Sequence, residues 1–209
     1  MSKIRTKHLA MRLSGLPRIS DNSSHLEQYQ TEGDLAARWL TDINSDNSLV
    51  GARVVDLGAG NGILAMGALL LGASHATLIE VDSEAVKISE AHGREIAVET
   101  NSTIEVIEAE LKGWPDGLEA DMVIMNPPWG FQSKGADRIF IEAALASPAD
   151  TIHLMHSAQA THPPEMAEQA GWDVEKRFSA EFRLPASMAH HTNRTTSTRA
   201  IFWSFKRRV

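Results

Sequence analysis

The chain has 209 residues, of which 43% are hydrophobic, and it contains no cysteine. Its length predicts one sizeable core in a single domain, and the lack of cysteine excludes disulfides, thiolate metal sites and cysteine nucleophiles. Since no apolar run is long enough to cross a bilayer and the amino terminus lacks the apolar stretch of a secretory signal, we expect a cytoplasmic protein with no membrane partner.

Charge is distributed unevenly along the chain. The net charge is −7, but all 27 acidic residues lie between Asp21 and Glu181, where they and nine basic residues give −18, while the two ends carry eleven basic residues and no acid. If both ends fold near the same face, they form a basic rim around an acidic body, which is a footprint for phosphates. The alternative is that these basic residues are simply solvated.

The first clear helical pattern begins at residues 31–34, Thr-Glu-Gly-Asp, which are typical of a capped helix start. Apolar residues at helical spacing continue to about Asn44, and Trp39 on that stripe is predicted to belong to the core. The preceding thirty residues are predicted to be an extension to a domain that occupies residues 31–209.

A glycine-rich loop follows the first predicted strand. The apolar run 54–57 contains Asp56 and opens into the glycine-rich sequence 58–62, after which residues 63–71 have a helical apolar pattern. Backbone N–H groups at such a helix start favour an electron-rich ligand group. NAD enzymes use similar loops with G-x-G-x-x-G spacing, whereas the spacing here is G-x-G-x-G. An acid two residues before the first glycine suits a positively charged methionine-derived ligand better than a pyrophosphate.

The next two predicted strands also lead into acidic residues. Residues 76–79 precede Glu80, whose carboxylate can accept both hydroxyls of a ribose, and residues 103–107 precede the sequence 108–111, which we expect to border an adenine ring. Because parallel strands bring their carboxyl ends to one edge of an open sheet, these groups and the glycine loop together predict an S-adenosylmethionine site.

Residues 126–130, Asn-Pro-Pro-Trp-Gly, follow an apolar run and carry the most informative chemistry. An exocyclic amine on a base, or a side-chain amide, is a poor nucleophile because its lone pair is delocalised. The side-chain oxygen of Asn126 and the backbone carbonyl of Pro127 can each accept one N–H of the amine, which leaves its lone pair to face an electrophile. Pro127 and Pro128 stiffen the loop, and Trp129 is predicted to offer a flat face on which a flipped base stacks. The alternative is a rigid turn after a buried strand.

The remaining pattern alternates helices and strands, which predicts a doubly wound, largely parallel sheet closed by an antiparallel pair. Further helices are predicted at 83–99, 136–146 and 163–171, and strands at 120–125, 151–155, 172–184 and 196–205. The nine histidines show no metal-ligand spacing, so we predict no metal site.

In this order the motifs resemble those of class I S-adenosylmethionine-dependent methyltransferases. More narrowly, the chain resembles the archaeal and eukaryotic methyltransferase-like protein 5 family, which methylates adenine N6 in small-subunit ribosomal RNA. The likeness runs from Leu26 to Phe205, and its distinguishing parts are the sequences LEQYQT at 26–31, KGAD at 134–137 and LPAS at 184–187. It implies a Rossmann-like α/β fold with a seven-stranded, mostly parallel sheet and a carboxy-terminal antiparallel strand pair.

The resemblance also implies residue roles. Gln28, within the extension of residues 1–30, and Thr31 would reach over the cofactor. The other cofactor-binding residues would be Asp56, Gly58, Gly60, Asn61 and Ile63 around the amino-acid end, Glu80 at the ribose and Glu110 at the adenine amine. The methyl-acceptor site would consist of Asn126, Pro127, Pro128 and Trp129.

This chain departs from the family pattern at several positions. The family usually has proline where this chain has Gln30, aspartate at Glu80 and Glu110, and phenylalanine at Trp129. The sequence HHTNR at 190–194 is also less basic than the corresponding stretch in some relatives, which weakens the case for an identical RNA footprint.

The family implies a protein partner as well as RNA. Its eukaryotic members are stabilised by a small zinc-ribbon activator protein that pairs against the sheet, and residues 103–107 are a candidate edge strand for such a contact. Three other functions stay open: N5-methylation of a glutamine side chain in a translation factor, DNA adenine methylation, and a non-catalytic cofactor-binding module in ribosome assembly. The DNA activity is disfavoured because 209 residues leave no room for a target-recognition domain.

Overall fold

The computed structural model describes residues 4–19, 30–46, 48–130, 133–183 and 197–208. The helices in these ranges are α1 (Thr6–Ser14), α2 (Gly33–Ile43), α3 (Ile63–Leu70), α4 (Ser83–Thr100), α5 (Arg138–Ala146) and α6 (His162–Gln169). The strands are β1 (Arg53–Leu57), β2 (His75–Glu80), β3 (Thr103–Glu108), β4 (Met122–Met125), β5 (Thr151–Ser157), β6 (Trp172–Arg183) and β7 (Ser197–Arg207).

The strands form one seven-stranded sheet with the order β3-β2-β1-β4-β5-β7-β6. The first five strands are parallel, and β7 runs antiparallel to both β5 and β6. This arrangement confirms the predicted fold class, including the carboxy-terminal antiparallel pair. It also leaves β3 at one edge of the sheet, as its sequence predicted.

Apolar layers cover both faces of the sheet because successive side chains of a strand point in opposite directions. In β1, Val54 belongs to the layer that packs under α1 to α4, whereas Val55 belongs to the layer under α5 and α6. Trp39 of α2 has no exposed surface, which confirms its prediction as a core residue. Helix α1 joins the same layer through Leu9 and Leu13. No helix in the described part of the chain is both long and apolar enough to span a bilayer.

Helix α2 begins within the predicted residues 31–34 but lacks the predicted side-chain cap. The N-cap is Glu32, and its side chain makes no capping hydrogen bond. Thr31 lies one residue before that position, and its hydroxyl instead accepts a hydrogen bond of 3.2 Å from the side-chain amide of Asn126. The predicted cap is therefore wrong, and the threonine contacts the loop after β4.

A β-bulge in β6 changes which face its side chains occupy. The pairing with β7 shifts between Lys176 and Phe178, so that Arg177 is an extra residue in the strand. Because one extra residue reverses the alternation, Trp172 lies in the layer under α5 and α6, while Phe182 lies in the opposite layer. The bulge therefore brings Phe182 to the face that also holds the loop after β4.

The last glycine of the glycine loop has a strict conformational role. Gly62 is the N-cap of α3 and has a φ of 77°, in the left-handed region that side chains rarely adopt. A Cβ at this position would lie 2.8 Å from Leu78 Cδ2, inside the core. Both backbone angle and space therefore favour glycine.

We predict that Gly62→Ala destabilises the fold by about 2–4 kcal/mol, the sum of a left-handed backbone penalty and overpacking. Gly117→Ala is the matched control, because Gly117 has a φ of 73° but no heavy atom within 4 Å of the added Cβ. That variant should lose only about 1 kcal/mol. Urea unfolding of both variants measures the difference, and equal losses would show that the contact with Leu78 carries no cost.

Candidate functional site

A pocket of about 330 Å³ opens at the carboxyl edge of the sheet, beyond the ends of β1, β2 and β4. The strand order reverses between β1 and β4, and such a switch point leaves a crevice outside the strand ends. The described residues that line the pocket include Asp56, Glu80 and Glu110 but no lysine or arginine. Three acidic residues in a lining without lysine or arginine suit a positively charged ligand and disfavour a pyrophosphate.

Asp56 lies at the end of β1 and is only 1% exposed. Its Oδ2 accepts the backbone N–H of Ala65 in α3 at 3.1 Å, whereas Oδ1 has no hydrogen-bond partner. Burial raises the pKa of Asp56 to about 7, against the opposing effect of the Ala65 hydrogen bond and with a further rise from the charge of Glu80. A buried carboxyl oxygen without a donor, in the wall of a pocket, fits a cationic ligand group that would compensate for its desolvation.

Glu80 holds the glycine loop against the end of β2. Its Oε2 accepts the N–H of Gly60 at 2.7 Å, and its Oε1 accepts the N–H groups of Val81 and Asp82 at 2.8 and 2.9 Å. The side chain is buried and lines the pocket. The position fits the predicted ribose contact, and the bond to Gly60 adds a structural role that sequence reasoning missed.

The remaining predicted cofactor residues are spread around the same pocket. Its walls include Thr31, Gly58, Gly60, Asn61, Ile63 and Glu110, and Gln28 lies outside the described residues. Asn61 is buried, and its side-chain amide donates to the carbonyl of Pro17 at 2.9 Å, which fastens the segment after α1 to the glycine loop. Glu110 is exposed, and its carboxylate lies 3.7 Å from the amine of Lys112.

Asn126 follows β4 at the rim of this pocket, and Pro128 lines the same wall. Nδ2 of Asn126 donates to the hydroxyl of Thr31 at 3.2 Å, and Oδ1 of Asn126 accepts the indole N–H of Trp129 at 3.0 Å. Pro127, whose carbonyl was predicted to accept one N–H of the amine, lies between Asn126 and Pro128 in the sequence and is buried. The structure thus brings Asn126 and the predicted cofactor residues to one pocket.

Trp129 is packed into the protein. The side chain is 6% exposed, and its ring stacks at 5.9 Å from the ring of His156 and at 4.9 Å from that of Phe182. The prediction of an open flat face for a flipped base is therefore wrong for this arrangement. The cause is the β6 bulge, which turns Phe182 toward the tryptophan, and no local sequence signal reports that contact.

His156 belongs to a buried polar cluster that sequence reasoning missed. Oδ2 of Asp137 lies 2.9 Å from Nε2 of His156 and 2.5 Å from Nε2 of His162. Burial acts to raise the pKa of Asp137, but the hydrogen bonds from both imidazoles outweigh it and lower that pKa overall. These three groups could offer a metal three ligand atoms within 4.8 Å, yet two ligands of one zinc ion lie roughly 3 Å or more apart. The short contacts indicate hydrogen bonding.

The predicted basic rim is only partly formed. Because β7 runs antiparallel to β5, Arg199 lies beside the carboxyl edge of the sheet, whereas Lys206 pairs with Thr151 at the opposite edge. Arg207 there donates to the carbonyl of Ala149, and Arg208 pairs with Asp173. The basic residues at 206–208 therefore cannot contribute to a rim around the pocket, and the sequence 190–194 lies outside the described residues.

Several pocket residues were not predicted from the sequence. They come from the segment before α2, from the loop before α5 and from the first turn of α5: Gln30, Ser133, Ala136, Ile139 and Phe140. The ring of Phe140 leaves no room for a side chain at position 58, since a Cβ on Gly58 would lie 3.0 Å from that ring. The sequence KGAD at 134–137, which resembles the family and adjoins these residues, could have indicated that this segment reaches the pocket.

Comparisons with known proteins agree with this geometry. A family model described as the methyltransferase small domain matches residues 30–153. The uncharacterized protein MJ0284 of Methanocaldococcus jannaschii is 30% identical, with 98% of this chain and 95% of that protein covered. The rRNA N(6)-adenosine-methyltransferase METTL5 of Danio rerio is 28% identical over 86% of this chain and 88% of its own length.

The chain is also similar to solved structures. The crystal structure of PH1948 from Pyrococcus horikoshii, a candidate RNA methyltransferase, superposes with a TM-score of 0.83 at 31% identity, and 99% of each chain is covered.

The raised pKa of Asp56 predicts a pH-dependent stability difference. Between the ordinary pKa of 3.8 and about 7, the folded state holds a proton that the unfolded state has released, so wild-type stability falls as the pH rises through this window. Asp56→Asn cannot titrate and keeps an oxygen for Ala65. We expect this variant to gain stability over wild type from pH 5 to pH 8 by about 1.4 kcal/mol for each pH unit within the window.

Urea unfolding of ligand-free protein at pH 5, 6, 7 and 8 measures this difference, with Asp116→Asn as an exposed control. If the stability difference between Asp56→Asn and wild type is the same at all four pH values, the carboxyl of Asp56 is not held protonated by burial.

Proposed function

Since the chain belongs to the methyltransferase small domain family, we propose that it transfers a methyl group from S-adenosylmethionine to the N6 amine of an adenine in small-subunit ribosomal RNA. Similarity to rRNA N(6)-adenosine-methyltransferases over most of the chain supports the choice of RNA and of adenine. The observation that carries the reaction type is the hydrogen-bonded Asn126 at the rim of an acidic pocket.

Within this proposal the pocket residues hold the donor. The unpartnered oxygen of Asp56 would compensate a cationic group of the cofactor, Glu80 at the end of β2 would accept from the ribose, and Glu110 would accept from the adenine amine. When bound, S-adenosylmethionine would supply an electrophilic methyl group on a sulfonium ion. The acidic walls favour this cation over neutral or anionic nucleosides.

The acceptor is prepared by hydrogen bonding. Asn126 Oδ1 and the carbonyl of Pro127 would each accept one N–H of the target amine, so that its lone pair points away from the ring plane. Two prolines limit the loop to few conformations, which places the acceptors before the substrate arrives. The amine becomes cationic only as it gains the methyl group, and it then sheds a proton to water. The reaction therefore needs no general base, which agrees with a structural role for His156.

We predict that Asn126→Ala lowers kcat by about 10²-fold, the usual cost of one transition-state hydrogen bond partner, and leaves the cofactor Kd within about twofold of wild type. Single-turnover kinetics with methyl-labelled cofactor and calorimetric titration of the cofactor measure the two quantities. A variant that keeps the wild-type rate on the best substrate would show that Asn126 does not hold the amine.

The substrate is tested by offering labelled cofactor with separate fractions of ribosomal RNA, DNA and ribosome-associated protein. Label in RNA that digests to N6-methyladenosine supports the proposal. Label in N5-methylglutamine supports the protein alternative, and label in DNA supports a DNA methylase. Cofactor binding without label in any fraction indicates a binding module in ribosome assembly.

The edge of the sheet supports a second element of the proposal, a small zinc-ribbon activator protein that binds to β3. The N–H groups of Thr103, the first residue of β3, and of Ala109, just after its last residue, bond toward β2, at 3.0 and 2.9 Å from the carbonyls of Ser74 and Glu80. Since backbone direction alternates along a strand, the N–H of Val106 points to the open edge. An added strand from a partner would pair there.

We predict that Val106→Pro abolishes activator binding without unfolding the chain, because it removes an outward N–H and leaves the ladder to β2. Val106→Thr keeps that N–H and is the control. Co-purification with a zinc-ribbon activator of the family's kind, together with melting curves, measures both effects. If the purified chain alone is monodisperse, melts cooperatively and is fully active, the activator is dispensable.

A further inference from the structure

The orientation of the Asn126 amide is fixed by chemistry. An indole N–H can only donate a hydrogen bond, so the atom of Asn126 that lies 3.0 Å from Trp129 Nε1 must be the oxygen. The amide nitrogen then faces the hydroxyl of Thr31, which can accept its hydrogen at 3.2 Å. One neighbour comes from the same loop and the other from the start of α2, and together they remove the twofold ambiguity of an amide.

The indole itself is held on two sides. The ring of Phe182 packs at 4.9 Å with a tilt of 42°, and the ring of His156 lies nearly parallel at 5.9 Å. His156 is fully buried and is fastened to Asp137, so its ring cannot rotate without breaking a charge-assisted hydrogen bond. Trp129 therefore has little freedom to move its N–H away from Asn126.

We propose that Trp129 is a positioning residue, whose indole N–H sets the amine-accepting oxygen of Asn126. This inference rests on the proposed amine methylation. A carbonyl oxygen can accept two hydrogen bonds, so donation by the indole is compatible with acceptance from a substrate amine. Without that donor the amide loses the contact that identifies and directs its oxygen, and the oxygen is held less firmly toward the substrate amine.

Trp129→Phe tests the proposal, because it keeps an aromatic ring between Phe182 and His156 and removes the N–H. We expect kcat to fall roughly tenfold, the fold-change of one neutral hydrogen bond, while the KM for the methyl acceptor and the cofactor Kd stay within about twofold. Trp114→Phe is the matched control, since Trp114 Nε1 donates a bond of the same 3.0 Å length to the carbonyl of Leu118 outside the pocket lining. It should keep wild-type kcat.

Two kinetic outcomes would overturn the positioning role. The first is a Trp129→Phe variant with wild-type kcat, while Asn126→Ala is impaired. The second is an unchanged kcat with a KM for the acceptor raised several-fold, which is the behaviour of a lost binding surface rather than a lost orientation.

A spectroscopic measurement makes the test independent of the substrate and of the folding of Trp129→Phe. The indole N–H resonance of Trp129, assigned by its loss in that variant or by selective labelling, should lie downfield in wild-type protein. It should move upfield and exchange faster in Asn126→Ala, and stay downfield in Asn126→Asp, which keeps an acceptor oxygen. An indole resonance unaffected by Asn126→Ala would refute the hydrogen bond. If wild-type protein methylates no RNA but this pattern holds, the RNA proposal fails while the hydrogen bond between Trp129 and Asn126 stands, and the positioning role is then tested on the glutamine amide substrate.

Discussion

The site depends on the parallel register of two neighbouring strands. β1 and β4 lie side by side with Asp56 opposite Ile124, so both strands end at the same edge about 4.8 Å apart. The glycine loop leaves one strand and the Asn-Pro-Pro-Trp loop leaves the other. The pocket and the proposed amine acceptor Asn126 therefore become neighbours through the backbone hydrogen bonds that pair these two strands. A shift of this register by one residue would separate them and would also exchange the buried faces of β4.

Sequence reasoning captured what local chemistry encodes and missed what depends on distant pairing. Apolar runs that end in acids or glycines identified β1, β2 and the pocket at their ends, because both signals lie within a few residues. The hydrogen bond that the hydroxyl of Thr31 accepts was not predicted, because its partner Asn126 lies 95 residues away. The burial of Trp129 depends on one bulged residue in β6. That residue reverses the alternation of side chains along the strand, and the sequence of β6 does not show the reversal. The antiparallel direction of β7 was predicted. It places Arg199 at the carboxyl edge of the sheet and Lys206 at the opposite edge, so these basic residues do not form one rim.

Two buried aspartates near the carboxyl edge show how environment separates a ligand site from a structural one. Asp56 keeps an oxygen without a donor and has a raised pKa, so the protein compensates its desolvation only in part. Asp137 receives two imidazole N–H groups and has a lowered pKa, so its charge is already satisfied. The carboxylate of Asp56 lowers the stability of the fold and can accept a hydrogen bond from a ligand. The carboxylate of Asp137 already accepts hydrogen bonds from the protein.

The reactivity of the acceptor loop is therefore a property of the whole fold. Asn126 contacts the segment before α2 through Thr31, and its neighbour Trp129 rests on a histidine of β5 and a phenylalanine of β6. Those contacts come from segments that are distant in the sequence, so the amide has this orientation only in the folded chain. An Asn-Pro-Pro-aromatic sequence in an unfolded or partly folded chain has the hydrogen-bond acceptors, but the amide oxygen of its asparagine is not oriented. A substitution in β6 that never touches substrate can then impair methyl transfer, because it loosens the indole that holds the asparagine.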